Sequence, residues 1–153
     1  MAVYFLDTSA LAKYYLDESG SGWIEQIIDT PSLNEIIIAQ VTGAEMVAAI
    51  TRRSRMGQIS FADAAIVTAV FKNHFKAKFD SVIIVSTIIE EAMRLAETHG
   101  LRGYDSIQLA CALTFNEDLL AMGSLPIIFI SADTALNLAA QQEGLMVDNP
   151  NNH

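Results

Sequence analysis

Four carboxylates, Asp7, Glu45, Asp105 and Asp133, stand where secondary-structure elements begin, each among small or hydroxyl residues. Their settings are Phe5-Leu6-Asp7-Thr8-Ser9, Thr42-Gly43-Ala44-Glu45, Gly103-Tyr104-Asp105-Ser106 and Ile130-Ser131-Ala132-Asp133. Asp7 and Asp133 follow short apolar runs of strand composition, and the other two open helical patterns. In a parallel sheet, strand ends of this kind share one edge, which is where open α/β folds bind ligands. Carboxylates gathered there repel one another and raise each other's pKa values. A hard divalent cation such as Mg²⁺, which takes oxygen ligands, makes such a cluster tolerable.

Each position also has a purely structural reading. Thr42 to Glu45, Ser60 to Asp63 and Thr87 to Glu90 all fit the capping box, in which an acidic side chain bonds back to the first free amide of the helix. Asp105 is a good N-cap, Asp7 is placed to cap the first helix, and Asp133 suits the positive end of the last helix dipole. Taken singly, capping is the better reading. The shared position of Asp7 and Asp133 just past strand ends is what favours a site, and Asp63 and Glu90, which lack it, read as caps. Asp17, Glu18, Glu117 and Asp118 fall in turns or at helix ends. His74, His99 and His153 sit at helix ends or in the tail, away from the predicted edge. There is no acidic partner two residues after Asp7 and no Lys after Lys78, which excludes two common forms of phosphoaspartate chemistry. A glycine-rich phosphate loop and a Gly-x-Ser-x-Gly elbow are also missing.

The elements that must position these residues follow from hydrophobic periodicity. Strands are expected at Ala2–Leu6, Ile36–Ala39, Val82–Val85, Ile127–Ile130 and Leu145–Val147. Helices are expected at about 8–16, 23–29, 43–56, 61–75, 88–99, 106–119 and 132–143, the fourth with Phe61, Ala64, Ala65, Thr68 and Phe71 on one stripe. Alternating strands and helices call for an α/β fold with a parallel sheet flanked by helices. The 153 residues make one domain, 1–148, followed by a polar tail, 149–153, expected to fray.

The chain carries a net charge of −9, which argues against a binder of nucleic acid held by a general basic surface. The charge is uneven: the first 78 residues hold seven basic and eight acidic side chains, the rest two basic and ten acidic. Arg52, Arg53 and Arg55 form one basic group and Lys72, Lys76 and Lys78 another; each reads as a solvated helix face or as a phosphate contact. The hydrophobic content of 52% supports a sizeable core and leaves apolar surface for an interface. No run reaches the roughly 18–20 apolar residues of a membrane span. The first residues lack the basic region of a signal peptide, so a cytoplasmic location is expected. The single Cys111 lies in an apolar helical stretch without His or Cys partners, a buried structural thiol rather than a zinc ligand.

Together the motifs resemble those of PIN domains. Val3-Tyr4-Phe5-Leu6-Asp7-Thr8-Ser9-Ala10-Leu11 is similar to the first motif and Glu45 to the second acidic position. Leu101–Ala110 resembles the third, and Phe129–Asp133 with Leu136, Ala139, Ala140, Gly144 and Leu145 the fourth. The likeness spans nearly the whole chain, and within the family it is nearest to the compact VapC-type toxins of toxin–antitoxin pairs. It implies a three-layer sandwich with a four- or five-stranded parallel sheet. It also implies a Mg²⁺- or Mn²⁺-dependent endoribonuclease leaving 5′-phosphate and 3′-hydroxyl ends. Asp7, Glu45, Asp105 and Asp133 would then hold the metal and do the catalysis, with Thr8, Ser9 and Ser131 orienting them. Arg52, Arg53, Arg55 and Arg102 are candidates for phosphate contacts. A cognate antitoxin and a homodimer are implied as well. The competing readings are a PIN-like binding module that cleaves nothing and a metal-dependent DNA nuclease.

Overall fold

The computed structural model describes all 153 residues. In chain order the elements are β1 (Ala2–Leu6), α1 (Thr8–Tyr15), α2 (Ser21–Ile28), β2 (Asn34–Ala39), α3 (Thr42–Arg55), α4 (Phe61–Ala77), β3 (Asp80–Val82), α5 (Ser86–His99), α6 (Gly103–Ala121), β4 (Ile128–Ile130), α7 (Thr134–Gln142) and β5 (Met146–Asp148). A 3-10 turn over Pro150–Asn152 closes the chain.

All five strands are parallel, in the order β3-β2-β1-β4-β5. The chain builds outward from β1 to β3 on one side, then crosses to β4 on the other. The order therefore reverses between β1 and β4, whose paired residues run from Tyr4–Ile128 to Leu6–Ile130. Loops leaving the two strands in opposite directions open a crevice there.

Strand residues alternate between two faces, and the core divides accordingly. Phe5, Ile37 and Phe129 join the cluster under α5, α6 and α7, where the Phe5 and Phe129 rings stack at 5.8 Å. Leu6, Ile36, Ile38 and Ile130 join the cluster under α1 to α4. The result is the expected three-layer α/β sandwich with five strands. Cys111 is buried in the first cluster, and its thiol is pushed up to about 12 by burial. No helix is long and apolar enough to cross a membrane.

Several local expectations give way to tertiary context. β3 occupies Asp80–Val82 rather than Val82–Val85, because it pairs only with Ile37–Ala39 and β2 ends there; Ile83 and Val85 are left exposed. Of the predicted α4 stripe only Ala64 and Phe71 are buried. Neither the Thr42–Glu45 nor the Thr87–Glu90 capping box forms: α3 and α5 begin with Val41 and Val85 at the cap positions and without side-chain cap bonds. Ser60 does cap α4, accepting from Asp63 N at 3.0 Å.

The tail does not fray. Asn149 caps the 3-10 turn, Pro150 is buried, and His153 stacks on Trp23 of α2 with ring centroids 4.0 Å apart. The close approach depends on Gly20, whose φ is +83° and where an added Cβ would lie 2.1 Å from the Pro150 carbonyl oxygen. Gly20→Ala is expected to destabilise the protein by about 1–3 kcal/mol in a urea titration. Gly22→Ala, where a Cβ meets nothing inside α2, is expected to stabilise by roughly 0.5–1 kcal/mol. Equal effects would show that the tail contact carries no stability.

Candidate functional site

Asp7 follows β1 directly, and its amide bonds the Ile130 carbonyl at 3.1 Å, tying the ends of β1 and β4 together. Its side chain caps α1: Oδ1 accepts from Ala10 N at 2.9 Å and from Ser9 Oγ at 2.7 Å. Oδ2 accepts from Ser131 Oγ at 2.7 Å. Capping and cavity-lining are thus both true of one residue. Asp7 is 4% exposed, and burial pushes its pKa up to about 6, against the pull of the Ser9, Ser131 and Ala10 bonds and with a further push from Asp105.

The loop after β4 is held by the same hydroxyls. Ser9 Oγ accepts from Ala132 N at 3.0 Å, Ser131 Oγ accepts from Asp133 N at 3.0 Å, and Asn137 Nδ2 donates to the Ser131 carbonyl at 2.7 Å. Asp133 caps α7 through Oδ1, which accepts from Ala135 N and Leu136 N. Its second oxygen is left outside the cap.

Asp105 corrects the sequence reading. The cap position of α6 belongs to Arg102, without a side-chain cap bond, and Asp105 lies within the first turn. Released from capping, its carboxylate is half-buried, and its pKa is raised by burial and by Asp133, with Arg102 opposing. One turn along the same helix, buried Gln108 turns its Nε2 to Glu45 Oε1 at 3.0 Å, Thr42 Oγ1 at 2.9 Å and Thr8 Oγ1 at 3.1 Å. An amide has two hydrogens for these three acceptors. Gln108 Oε1 has no hydrogen-bond partner. Glu45 also has its pKa raised, chiefly by burial and also by Asp105, while the Gln108 and Thr8 bonds pull it down.

Asp7, Glu45, Asp105 and Asp133 line one open cleft of about 370 Å³, together with Thr8, Ser9, Gln108, Tyr104, Glu18 and Arg53. Ser131 lies beneath it, bonded to Asp7. The other arginines are elsewhere. Arg55 lines a separate groove between α3 and α4, Arg52 is exposed, and exposed Arg102 donates to the Tyr104 hydroxyl at 2.8 Å, near enough to Asp105 and Asp133 to act on both but outside the cleft lining. No three of the acidic, histidine or cysteine side chains are drawn together into a closed ligand cage. The donor set, all hard oxygens, suits Mg²⁺ or Mn²⁺, and the cleft lining has no thiolate or imidazole of the kind that dominates zinc sites.

Sequence reasoning missed Gln108, Tyr104, Glu18 and Lys13. Gln108 was visible as a polar residue in an apolar helix, three positions after Asp105. Lys13 was visible as the charge in the apolar run Ala10-Leu11-Ala12-Lys13-Tyr14-Tyr15. Glu18 lies in the turn between α1 and α2, as expected, and from there bonds both Lys13 and Arg53.

Residues 4–140 match the model of the PIN domain. Solved structures of similar fold include FitAB bound to an IR36 DNA fragment, with 15% identity and a TM-score of 0.63 over 97% of this chain and 94% of that one. VapBC2 from Rickettsia felis, bound to a DNA fragment from their promoter, gives 12% identity and a TM-score of 0.62 over 96% and 98%. PAE2754 from Pyrobaculum aerophilum gives 19% and 0.57 over 96% and 92%. At these identities the likeness is one of fold. No curated protein matches the sequence.

Proposed function

From the premise that this chain belongs to the PIN domain family, whose members are typically nucleases, we propose that it is a metal-dependent endoribonuclease acting as the toxin of a toxin–antitoxin pair. One observation carries the reading: four carboxylates from four separate elements line a single cleft at the β1–β4 switch point. Burial and mutual repulsion push Asp7, Glu45 and Asp105 upward, a cost that a divalent cation offsets. The motifs resemble VapC-type toxins, and the fold shared with FitAB and VapBC2 supports that choice within the family.

In this mechanism Asp7, Glu45, Asp105 and Asp133 would hold Mg²⁺ or Mn²⁺, which when bound would supply an acidified water and charge stabilisation at the phosphate under in-line attack. Ser9 and Ser131 fix the Asp7 carboxylate by donating to its two oxygens. Gln108 aims Glu45 through its amide, and Thr8 shares that amide. Tyr104, exposed at the rim and braced by Arg102, offers a face on which a base of single-stranded RNA stacks, an interaction sequence-tolerant by nature. The exposed apolar residues of α4 and α5, among them Phe61, Ile66, Ile89 and Met93, are available to an antitoxin and to a second copy of the chain.

Purified protein incubated with total cellular RNA and Mn²⁺ or Mg²⁺ is expected to yield discrete fragments with 5′-phosphate and 3′-hydroxyl ends, and none with chelator. Products ending in 2′,3′-cyclic phosphate would refute the mechanism. Cleavage of DNA but not RNA would select the DNA-nuclease reading. Failure to bind Mn²⁺ at millimolar levels would leave the binding-module reading.

A further inference from the structure

A phosphodiester strand entering this cleft meets five carboxylates, Asp7, Glu18, Glu45, Asp105 and Asp133, and a single basic side chain in its lining, Arg53, with Arg102 beside the Asp105 and Asp133 end. Arg53 is the far end of a stripe on α3. Glu45, Ala49 and Arg53, spaced at i, i+4 and i+8, all face the cleft, so one helix presents an acid, a small residue and a base in a row. Eight residues of helix rise span about 12 Å. Arg53 is therefore set along the cleft from Glu45 rather than beside it, with the small Ala49 between them.

Its guanidinium is not loose. Arg53 Nη2 donates to Glu18 Oε1, and Lys13 Nζ donates to Glu18 Oε2 at 3.2 Å. Lys13 is 4% exposed, so the Lys13 to Glu18 to Arg53 chain runs from the interior of α1 outward to the wall of the cleft. A buried ammonium requires a partner, and Glu18 supplies it while still presenting an oxygen to Arg53. Two cations share one carboxylate, which leaves this wall with a net positive charge beside the acidic one. Arg52 and Arg55, on neighbouring positions of the same helix, are exposed and do not line the cleft.

Resting on the nuclease reading above, we propose that Arg53 binds a backbone phosphate flanking the scissile one, with Glu18 and Lys13 as the positioning residues that hold its guanidinium at the cleft wall. The strand then lies along the α3 stripe, with the bond to be cut over the carboxylates at the Glu45 end. This also accounts for how a chain of net charge −9 admits RNA: one fixed cation inside the cleft orients the strand, and no broad basic surface is needed.

The test is steady-state cleavage of a pool of short random-sequence oligoribonucleotides with Mn²⁺, at several salt concentrations, by the wild type and by Arg53→Ala, Arg53→Lys, Arg52→Ala and Arg55→Ala. Arg53→Ala is expected to raise KM by about 10- to 100-fold, the size of a charged hydrogen bond, with kcat nearly unchanged. Its salt dependence should be shallower by about 0.7 in logarithmic slope, as for one lost phosphate contact on a single strand. Arg53→Lys should recover part of the loss, and Arg52→Ala and Arg55→Ala should match the wild type. Mn²⁺ binding by calorimetry should be the same in all. The proposal is overturned if Arg53→Ala keeps the wild-type KM and salt slope, or if all three alanine variants shift KM alike, which marks a diffuse field. A purely structural ion pair would lower the melting temperature of Arg53→Ala without moving KM, and this too overturns it. A wild type that cleaves no RNA with either metal removes the nuclease reading itself, an outcome distinct from active wild type with indifferent Arg53→Ala.

Discussion

Asp7→Asn is expected to abolish RNA cleavage and, in the metal-free protein at neutral pH, to raise the melting temperature. The two effects share one cause. Asp7 is buried, and its pKa is raised from 3.8 to about 6, so at pH 7 the folded protein holds a carboxylate charge that burial disfavours. At 1.36 kcal/mol per pKa unit this costs about 2–3 kcal/mol. Asparagine has the same shape without the charge. Its Oδ1 can keep the bonds from Ala10 N and Ser9 Oγ. Its Nδ2 can donate to the Ser131 hydroxyl, which rotates to accept. The α1 cap and the β1–β4 tie therefore survive, while the anionic ligand for a divalent cation is lost. The loss of rate should be about 100-fold or more, in kcat rather than KM, since the interaction is one made with the reacting centre. Residual activity near wild type would remove Asp7 from the metal site. A variant that fails to fold would show that Asp7 is there as a cap, and Asp105→Asn, where no cap bond is at stake, then decides the catalytic question.

The stability of the metal-free protein should fall as pH rises from about 5 to 7, and millimolar Mn²⁺ should reverse the fall. Asp7, Glu45 and Asp105 all have folded pKa values above their ordinary ones, each chiefly through burial. A group raised in this way binds more protons folded than unfolded between its two pKa values, so its contribution to stability is present below the unfolded value and lost as pH rises through the folded value. For Asp7 that window runs from 3.8 to about 6. Asp29 and Glu143, whose pKa values are lowered by Lys78 and by Arg94 with His99, act in the opposite sense. Their stability is lost only as pH falls below their ordinary 3.8 and 4.5, outside the range considered. His74, whose pKa is lowered from 6.5 by burial and by Lys78, gains stability as pH rises within the range, and the three carboxylates act against that single imidazole. A cation that binds only the folded state at about 100 times its dissociation constant adds roughly 2.7 kcal/mol. Protons compete for the same oxygens, so this increment should shrink at pH 5. Thermal melts at pH 5 and 7, with and without Mn²⁺, check both signs. A wild-type fall from pH 5 to 7 no larger than that of Asp7→Asn, in which the His74 contribution is unchanged, or a melting temperature indifferent to Mn²⁺ at pH 7, would contradict the carboxylate site.

Local chemistry decided much of this protein. The apolar runs ending at Leu6 and Ile130 mark strands because a buried parallel strand needs apolar residues on both faces. Their alternation, Phe5 one way and Leu6 the other, assigns the two helical layers. Ser60 and Asp7 act as caps because an oxygen two or three residues ahead of a free amide is placed by chain geometry alone. Asp7 and Asp133 were legible as edge residues for the same reason: strand direction and parallel order carry them to one side.

The rest of the site depends on partners far apart in sequence. Thr42 and Glu45 have the spacing of a capping box, yet Glu45 bonds Gln108, because the α6 amide reaches it once the helices pack. Gln108 meets Thr8 across 100 residues and Ser131 meets Asp7 across 124. Arg52, Arg53 and Arg55 are indistinguishable as a charge run, but a helix turns about 100° per residue, and only Arg53 falls on the face that looks into the cleft. The sequence alone determined which residues could do chemistry and on which elements they ride. Which of them share a cleft was set by the crossing from β3 to β4 and by the rotation of each helix on the sheet. Those are properties of packing, in which every contact depends on all the others, and no window of neighbouring residues contains them.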